Sequence, residues 1–367
     1  MIDMVFKKEN DMLTHLKKIT DSQRIVVMKV GSGRYEQHGA NPIYIEGYKT
    51  DFGLNIDSEL FTTINEQGNG CFHVFTDPQT GKEVVKPVAP IAKKSIASRR
   101  GLSGTAIDED FTIVNRGSIL RKFGDHLAQT LLQGDLEIAQ HSQQYQWIPQ
   151  HAVAESFIKI VKSEFTDVVF FGGFYSLEET VIALQINDLS ESLKKRGING
   201  AMGLLLINSD TGDRAIRVHP IIIKDNQCIR IGSPYTMPHI KGASLFVFNT
   251  ALTNKETGIK AMLTQSFEGI DKLFNIEIKH PKECFYNAGF FAKLPEKYLN
   301  EVWECNSNDI KGKKVNAFEI FMYLWKIPEH IRETMSDELG ALHSEEKLYR
   351  LLNKKWSSFD LDFVYGS

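Results

Sequence analysis

The chain has 367 residues, 42% of them hydrophobic and 24% charged, with a formal net charge of -3. That length can bury a sizeable core, and the near-neutral charge excludes a global basic field, so any anion-binding surface must be a local patch. No apolar run approaches the ~20 residues needed to span a bilayer.

Met1–Lys8 lacks the apolar stretch of a signal peptide. The four cysteines, Cys71, Cys228, Cys284 and Cys305, are far apart, with no C-x-x-C pair. This predicts a cytoplasmic protein with four small buried thiols, and neither a zinc ribbon nor a disulfide framework.

In chain order, Phe6–Lys18 has helical apolar spacing, and Ile25–Val30 is a strand by its β-branched content. Cys71–Thr76 and Glu83–Lys86 flank Asp77-Pro-Gln-Thr-Gly81, which is turn chemistry, so a hairpin is expected. Pro87–Gly104 carries Lys93, Lys94, Arg99 and Arg100 with no acidic residue, and reads as an exposed, mobile basic segment. Ser118–Gln140 looks helical, with Ile119, Phe123, Leu127, Leu131 and Leu132 in register.

His151–Phe165 places Ala154, Phe157, Ile158, Val161 and Phe165 on one stripe of a 3.6-residue period. Short apolar strands follow at Val168–Phe171, after which Gly172-Gly173 makes a break, and at Thr180–Ile186. Gly203–Asn208 and Arg214–His219 then flank the polar turn Ser209-Asp-Thr-Gly-Asp213. Helices are expected at Ile259–Leu273, at Asn316–Trp325 (ended by Pro328) and, basic and amphipathic, at Ser344–Trp356, with a tail from Ser357.

Gly31-Ser-Gly33 follows a strand, but Glu36 stands where a dinucleotide loop has its third glycine, so a plain turn is expected. No phosphate-loop, H-E-x-x-H or G-x-S-x-G string occurs, so no nucleotide cofactor and no metal is expected. Asp108-Glu-Asp110 is the one tight carboxylate cluster of the first half, a solvated turn unless Asp108 and Asp110 hold a metal for a nuclease.

Basic clusters are Lys93, Lys94, Arg99 and Arg100, then Lys194, Lys195 and Arg196, then Lys311, Lys313 and Lys314, and finally Lys354-Lys355. Gly101 and Gly104 beside the first would let backbone approach an anion. Strand alternation puts Arg217 and His219 on the face opposite Ile216 and Val218, with His219 paired or at the surface.

Tyr145–Ile186, Ile207–Pro220 with its polar turn and Ala-Ile-Arg-Val, and Asn316-Ala-Phe318 through His330 resemble the phage- and plasmid-encoded domain of unknown function family 932. The family's Cys-Asn pair after the hairpin is replaced here by Asn226-Gln-Cys228. The resemblance implies a mobile-element or bacteriophage origin and no particular reaction. The helix and antiparallel strands are also loosely similar in fold to phage single-strand annealing proteins, an analogy that carries little weight for function.

The expected fold is therefore α+β, antiparallel β-hairpins packed with amphipathic helices. Three regions are expected: 1–104, a core at 105–315, and a helical region at 316–367. The expected function is non-enzymatic binding of nucleic acid, single-stranded in form, by a homo-oligomer in a bacterial host cytoplasm. Lys93, Lys94, Arg99, Arg100, Lys194, Lys195, Arg196 and Arg217 would hold phosphates, and Phe174 or Tyr175 would stack on bases. The alternatives are a phage structural or host-interaction protein that binds a protein partner, and the metal-dependent nuclease.

Overall fold

The computed structural model describes residues 4–29, 34–37, 71–76, 81, 83–87 and 127–365, the last span without 135, 143, 177, 178, 212, 213, 225, 226, 311, 312, 336 and 337. The fold is α+β. Its centre is an antiparallel sheet in the order β1 (Met4–Phe6), β8 (Val168–Tyr175), β9 (Thr180–Ile186), β10 (Ala201–Asn208), β11 (Ile216–Lys224) and β12 (Gln227–Arg230), with β13 (Tyr235–Met237) also pairing β11. Successive side chains of a strand point to opposite faces. Met202, Leu204 and Leu206 of β10 enter the main core, whereas Leu205 and Ile207 join Phe174, Val181, Ala183, Ile221 and Ile223 on the other face. Cover on both faces explains why β10 is an unbroken apolar run rather than an alternating one.

Two helices pack on the main-core face. Glu9–Ser22 (α1) buries Met12, Leu16 and Ile19, and Gln150–Glu164 (α2) buries Ala154, Phe157, Ile158 and Val161 as its spacing dictates. The expected helix at Phe6–Lys18 therefore starts later, because Phe6 is a strand residue paired with Gly173. Gly172-Gly173 does not break β8 either. The strand runs through them with a register shift between Phe170 and Gly172, and a Cβ on Gly173 would lie 3.1 Å from the Met12 sulfur. The glycine is what lets α1 sit this close to the sheet.

The helix expected over Ser118–Gln140 is not formed in its described part. Leu127–Gln133 (β6) and Leu136–Ser142 (β7) make a hairpin around Gly134, whose φ is +55°. Together with β2 (Gln23–Lys29) they form a three-stranded sheet of order β2-β6-β7, in which Lys29 pairs with Leu127. The leucine spacing fits a helix, but Gly134 and the open edge of β2 favour strands. A separate sheet joins β3 (Arg34–Gln37), β4 (Cys71–Thr76) and β5 (Glu83–Pro87), and contains the expected hairpin.

The C-terminal third is helical: α4 (Leu245–Leu252), α5 (Ile259–Phe274), α6 (Pro281–Phe291), α7 (Glu296–Asn306), α8 (Ala317–Leu324), α9 (Lys326–Met335) and α10 (Glu338–Leu348). A short ladder of β14 (Glu277–Ile278) and β15 (Val315–Asn316) precedes α8. Asn316 caps α8 in a reciprocal box with Glu319. The helix expected to end before Pro328 does so at Leu324, and Pro328 itself lies in the first turn of α9, where no amide donor is needed. The basic helix expected at Ser344–Trp356 instead ends at Leu348 and continues as a 3-10 turn, Tyr349–Leu351.

The residues after Ser357 are not a loose tail. Phe359 is buried, and the Asn287 amide donates to the carbonyls of Phe359 and Phe363 while its oxygen accepts from the Tyr365 amide. Phe6, Phe157, Ile222, Phe321 and Phe359 belong to one cluster, so elements before residue 105 and after 315 share a core with those between. Cys284 is buried and Cys228 half-buried, but Cys305 is exposed, against the expectation of uniformly buried thiols. No helix of the described residues is long and apolar enough to cross a membrane.

Candidate functional site

The described basic residues do not behave alike. Lys194–Arg196 ends a short helix, α3 (Ser190–Lys194). Lys195 is exposed, and Lys194 pairs with exposed Glu191. Arg196 is structural: Nε and Nη2 donate to the two oxygens of Asp271 at 2.6 and 2.8 Å, Nη1 donates to the Ser192 carbonyl, and the guanidinium lies 4.7 Å from the Phe267 ring centre. Its hydrogen bonds hold the Asp271 carboxyl below the usual carboxylate range.

Arg217 lies opposite Ile216 and Val218 as alternation requires, but α10 covers that face and Arg217 donates to Glu346. Glu346 also pairs with Arg214. Burial pushes the Glu346 carboxyl up, yet Arg214, Arg230 and Arg217 together bring it below its ordinary value. His219 is neither paired nor at the surface. It is wholly buried, its edge meets the Tyr349 ring, and neither ring nitrogen has a hydrogen-bond partner. Burial drives its pKa well down, with Arg230 and Arg217 adding, so the ring is neutral.

Neither stacking candidate offers a ring face. Tyr175 is 2% exposed, with its edge against His15, and Phe174 packs in the second-face cluster. Lys93, Lys94, Arg99, Arg100, Asp108, Asp110, Lys311 and the Gly31–Gly33 turn lie outside the described residues.

One sequence cluster reaches a pocket. Gly197, Ile198 and Asn199, immediately after Lys194–Arg196, line a pocket of about 460 Å3 with Lys313 and Lys314. Lys224 from the β11 end and Lys326 from α9 complete four lysines, against Glu319 and Glu329. Glu319 is already engaged in the α8 cap. Phe274, Phe318, Met322 and Tyr323 supply the apolar lining. Lys326 donates to the Asn306 side chain at 2.7 Å and lies over the Tyr323 ring, and Lys314 makes a fully exposed pair with Glu277. Lys224 and Lys326 escaped sequence reading because each stands alone in its segment; only the fold brings them beside Lys313 and Lys314.

A second polar group is enclosed. The turn after β10, Asn208–Thr211, is buried, and Asp210 is 1% exposed. Gln23, the first residue of β2, donates to Asp210 Oδ2 at 3.0 Å. His141 of β7 donates through Nε2 to the Asp210 carbonyl at 2.9 Å, and the Tyr145 hydroxyl donates to the same carbonyl. The Tyr145 ring is stacked with both His141, at 3.6 Å, and His239, at 5.2 Å.

Asp210 Oδ1 makes no hydrogen bond of good geometry. Burial pushes the Asp210 carboxyl up to about 7, although the side chains of Gln23, Gln150 and Trp147 favour the anion. His239 is held below its ordinary value by burial, so it is neutral. Its Nδ1 faces the Gln146 carbonyl and must carry the proton. Nε2 is then an acceptor 3.0 Å from the Asn208 side-chain amide, whose nitrogen has to be turned towards it. Sequence reading saw this segment only as a turn.

Among the described residues no group of three or more His, Cys, Asp or Glu side chains is placed to hold a metal. No family model, curated protein or solved structure matches the chain.

Proposed function

We propose that the protein binds nucleic acid, single-stranded in form, as a homo-oligomer, with phosphates held at the pocket of Lys224, Lys313, Lys314 and Lys326. The observation that carries this reading is the convergence of Lys224 with Lys313, Lys314 and Lys326 on one pocket that also has an aromatic and apolar lining. Basic side chains release counterions from a phosphate chain, and aromatic rings offer sequence-tolerant contact to bases. Lys194 and Lys195 are exposed, whereas Arg196 and Arg217 are spent on Asp271 and Glu346. The resemblance to a phage- and plasmid-encoded family adds the expectation of a mobile-element origin.

Fluorescence anisotropy with a labelled single-stranded oligonucleotide tests this. Binding should be tight at low salt, and Lys313→Ala/Lys314→Ala should reduce the slope of log affinity against log salt by about 1.4, at ~0.7 per phosphate contact. No binding at low salt, or an unchanged slope in the variant, overturns the reading.

One observation favours the protein-partner alternative. Ile240, Phe246 and Val247 lie within eight residues of sequence and are 55%, 78% and 42% exposed. Exposed apolar side chains grouped in this way mark interaction surfaces. Loss of self-association in Phe246→Ser with oligonucleotide binding retained would assign them to the oligomer.

A further inference from the structure

The Asp210 turn joins two sheets. It continues β10 at the centre of the main sheet, yet its hydrogen bonds go to Gln23 at the start of β2 and to His141 at the end of β7. Tyr145, just beyond β7, adds a third contact to the same residue. One buried residue thus fastens both outer strands of the β2-β6-β7 sheet to the main sheet, using its carboxyl for one and its carbonyl for the other. We infer that Asp210 is a protonation-gated clasp: the three-stranded sheet docks with the Asp210 carboxyl neutral and loosens when that carboxyl ionises.

The geometry supports this in three ways. The carboxyl is enclosed, so its charge is not hydrated. Its one hydrogen bond of good geometry comes from a neutral amide, and Oδ1 has none. Among the described residues no cation faces it to compensate. His141 and His239 are placed around the turn, but His141 is directed at the carbonyl and His239 is held neutral by burial. Tyr175 of β8 is near enough to feel the Asp210 charge, which with burial keeps its phenol protonated. Glu179 before β9 and Arg214 beyond the turn neutralise one another in an ion pair. Trp147 and Gln150 present only neutral groups.

An uncompensated buried carboxylate is costly, and a protonated one can donate a hydrogen bond instead. The unpaired Gln23 amide oxygen is an acceptor among the enclosed atoms of this junction.

The sign follows from linkage. A carboxyl that titrates at about 7 when docked, and near 3.8 when exposed, binds more protons in the docked state. Docking is therefore strongest in acid, weakens as pH rises towards 7, and levels off above it. His239, depressed in the fold, acts the other way and only below the ordinary histidine range.

Amide hydrogen exchange of the full-length protein, corrected for intrinsic rates, tests the clasp. From pH 6 to pH 8 the opening equilibrium of β2, β6 and β7 should rise about ten-fold, while β9 and β10 show no such change. Asp210→Asn, which keeps shape and removes the charge, should abolish the rise. A flat profile in the wild-type protein, or the same rise in Asp210→Asn, overturns the inference. Should that variant fail to fold, the 13C titration of the wild-type Asp210 carboxyl decides: a midpoint in the neutral range supports the clasp, and one at the ordinary carboxylate value refutes it.

Discussion

Arg230 is wholly buried, and its Nη2 donates to Glu345 Oε2 at 3.2 Å while Nε and Nη1 have no partner. Glu345, itself 2% exposed, is the carboxylate hydrogen-bonded to this guanidinium and also accepts from Arg332 at 2.6 Å, while Glu346 interacts with Arg230 through its charge alone. Glu345→Ala therefore strands a charge inside the fold. Removing one member of a buried pair costs about 3–5 kcal/mol, because the remaining charge is left without solvent or partner. The lower half of that range is expected here, since the Glu346 charge still offsets part of the Arg230 charge. Glu345→Gln keeps an acceptor but not the charge and should lose less.

The decisive variant is the double replacement Arg230→Met/Glu345→Met. It removes both charges at similar volume, and apolar replacement of a buried pair is commonly neutral or stabilising. Urea unfolding followed by circular dichroism, with the slope checked for constancy, gives the three free energies. The double variant should be markedly more stable than Glu345→Ala, a non-additivity expected of two residues in contact. A loss below about 1 kcal/mol in Glu345→Ala, or a double variant no better than the single, would show that Arg230 is satisfied some other way.

Phe157 is fully buried on α2, so Phe157→Ala should cost about 3–5 kcal/mol in the same denaturation assay. Arg217→Ala should also destabilise, by about 1 kcal/mol, because a largely buried charged hydrogen bond to Glu346 is lost. Oligonucleotide affinity should be unchanged in that variant, and a selective loss of binding without loss of stability would return Arg217 to the phosphate-binding surface.

Local patterns decided what could be read from sequence. Helix α2 and strand β9 were legible because their apolar residues repeat with one period and their neighbours do not contradict it. The β4–β5 hairpin was legible from turn chemistry. The β6–β7 hairpin was not, because Leu127, Leu131 and Leu132 satisfy a helical stripe and the partner that stabilises the strands, β2, lies a hundred residues away. Arg217 and His219 were placed on the correct side of their strand, but sequence could not say that α10 lies over that side.

The same limit applies to both polar sites. Half of the lysine pocket comes from isolated residues, and Asp210 looks like a solvated turn until Gln23, His141 and Tyr145 close over it. Burial of a polar residue is a tertiary property, and no local period encodes it.

The pairing of Lys29 with Leu127 has a consequence for how the chain can be cut and rebuilt. The segment 30–126 connects two antiparallel neighbours at directly opposed positions. Loop-closure entropy grows only slowly with loop length, so a long segment hung from two opposed strand ends adds little strain to its host. The same positions could be bridged by a two-residue reverse turn of the Asn-Gly kind with no change in register. Such a bridge would keep the β2–β6 pairing but remove β5, which contacts β7.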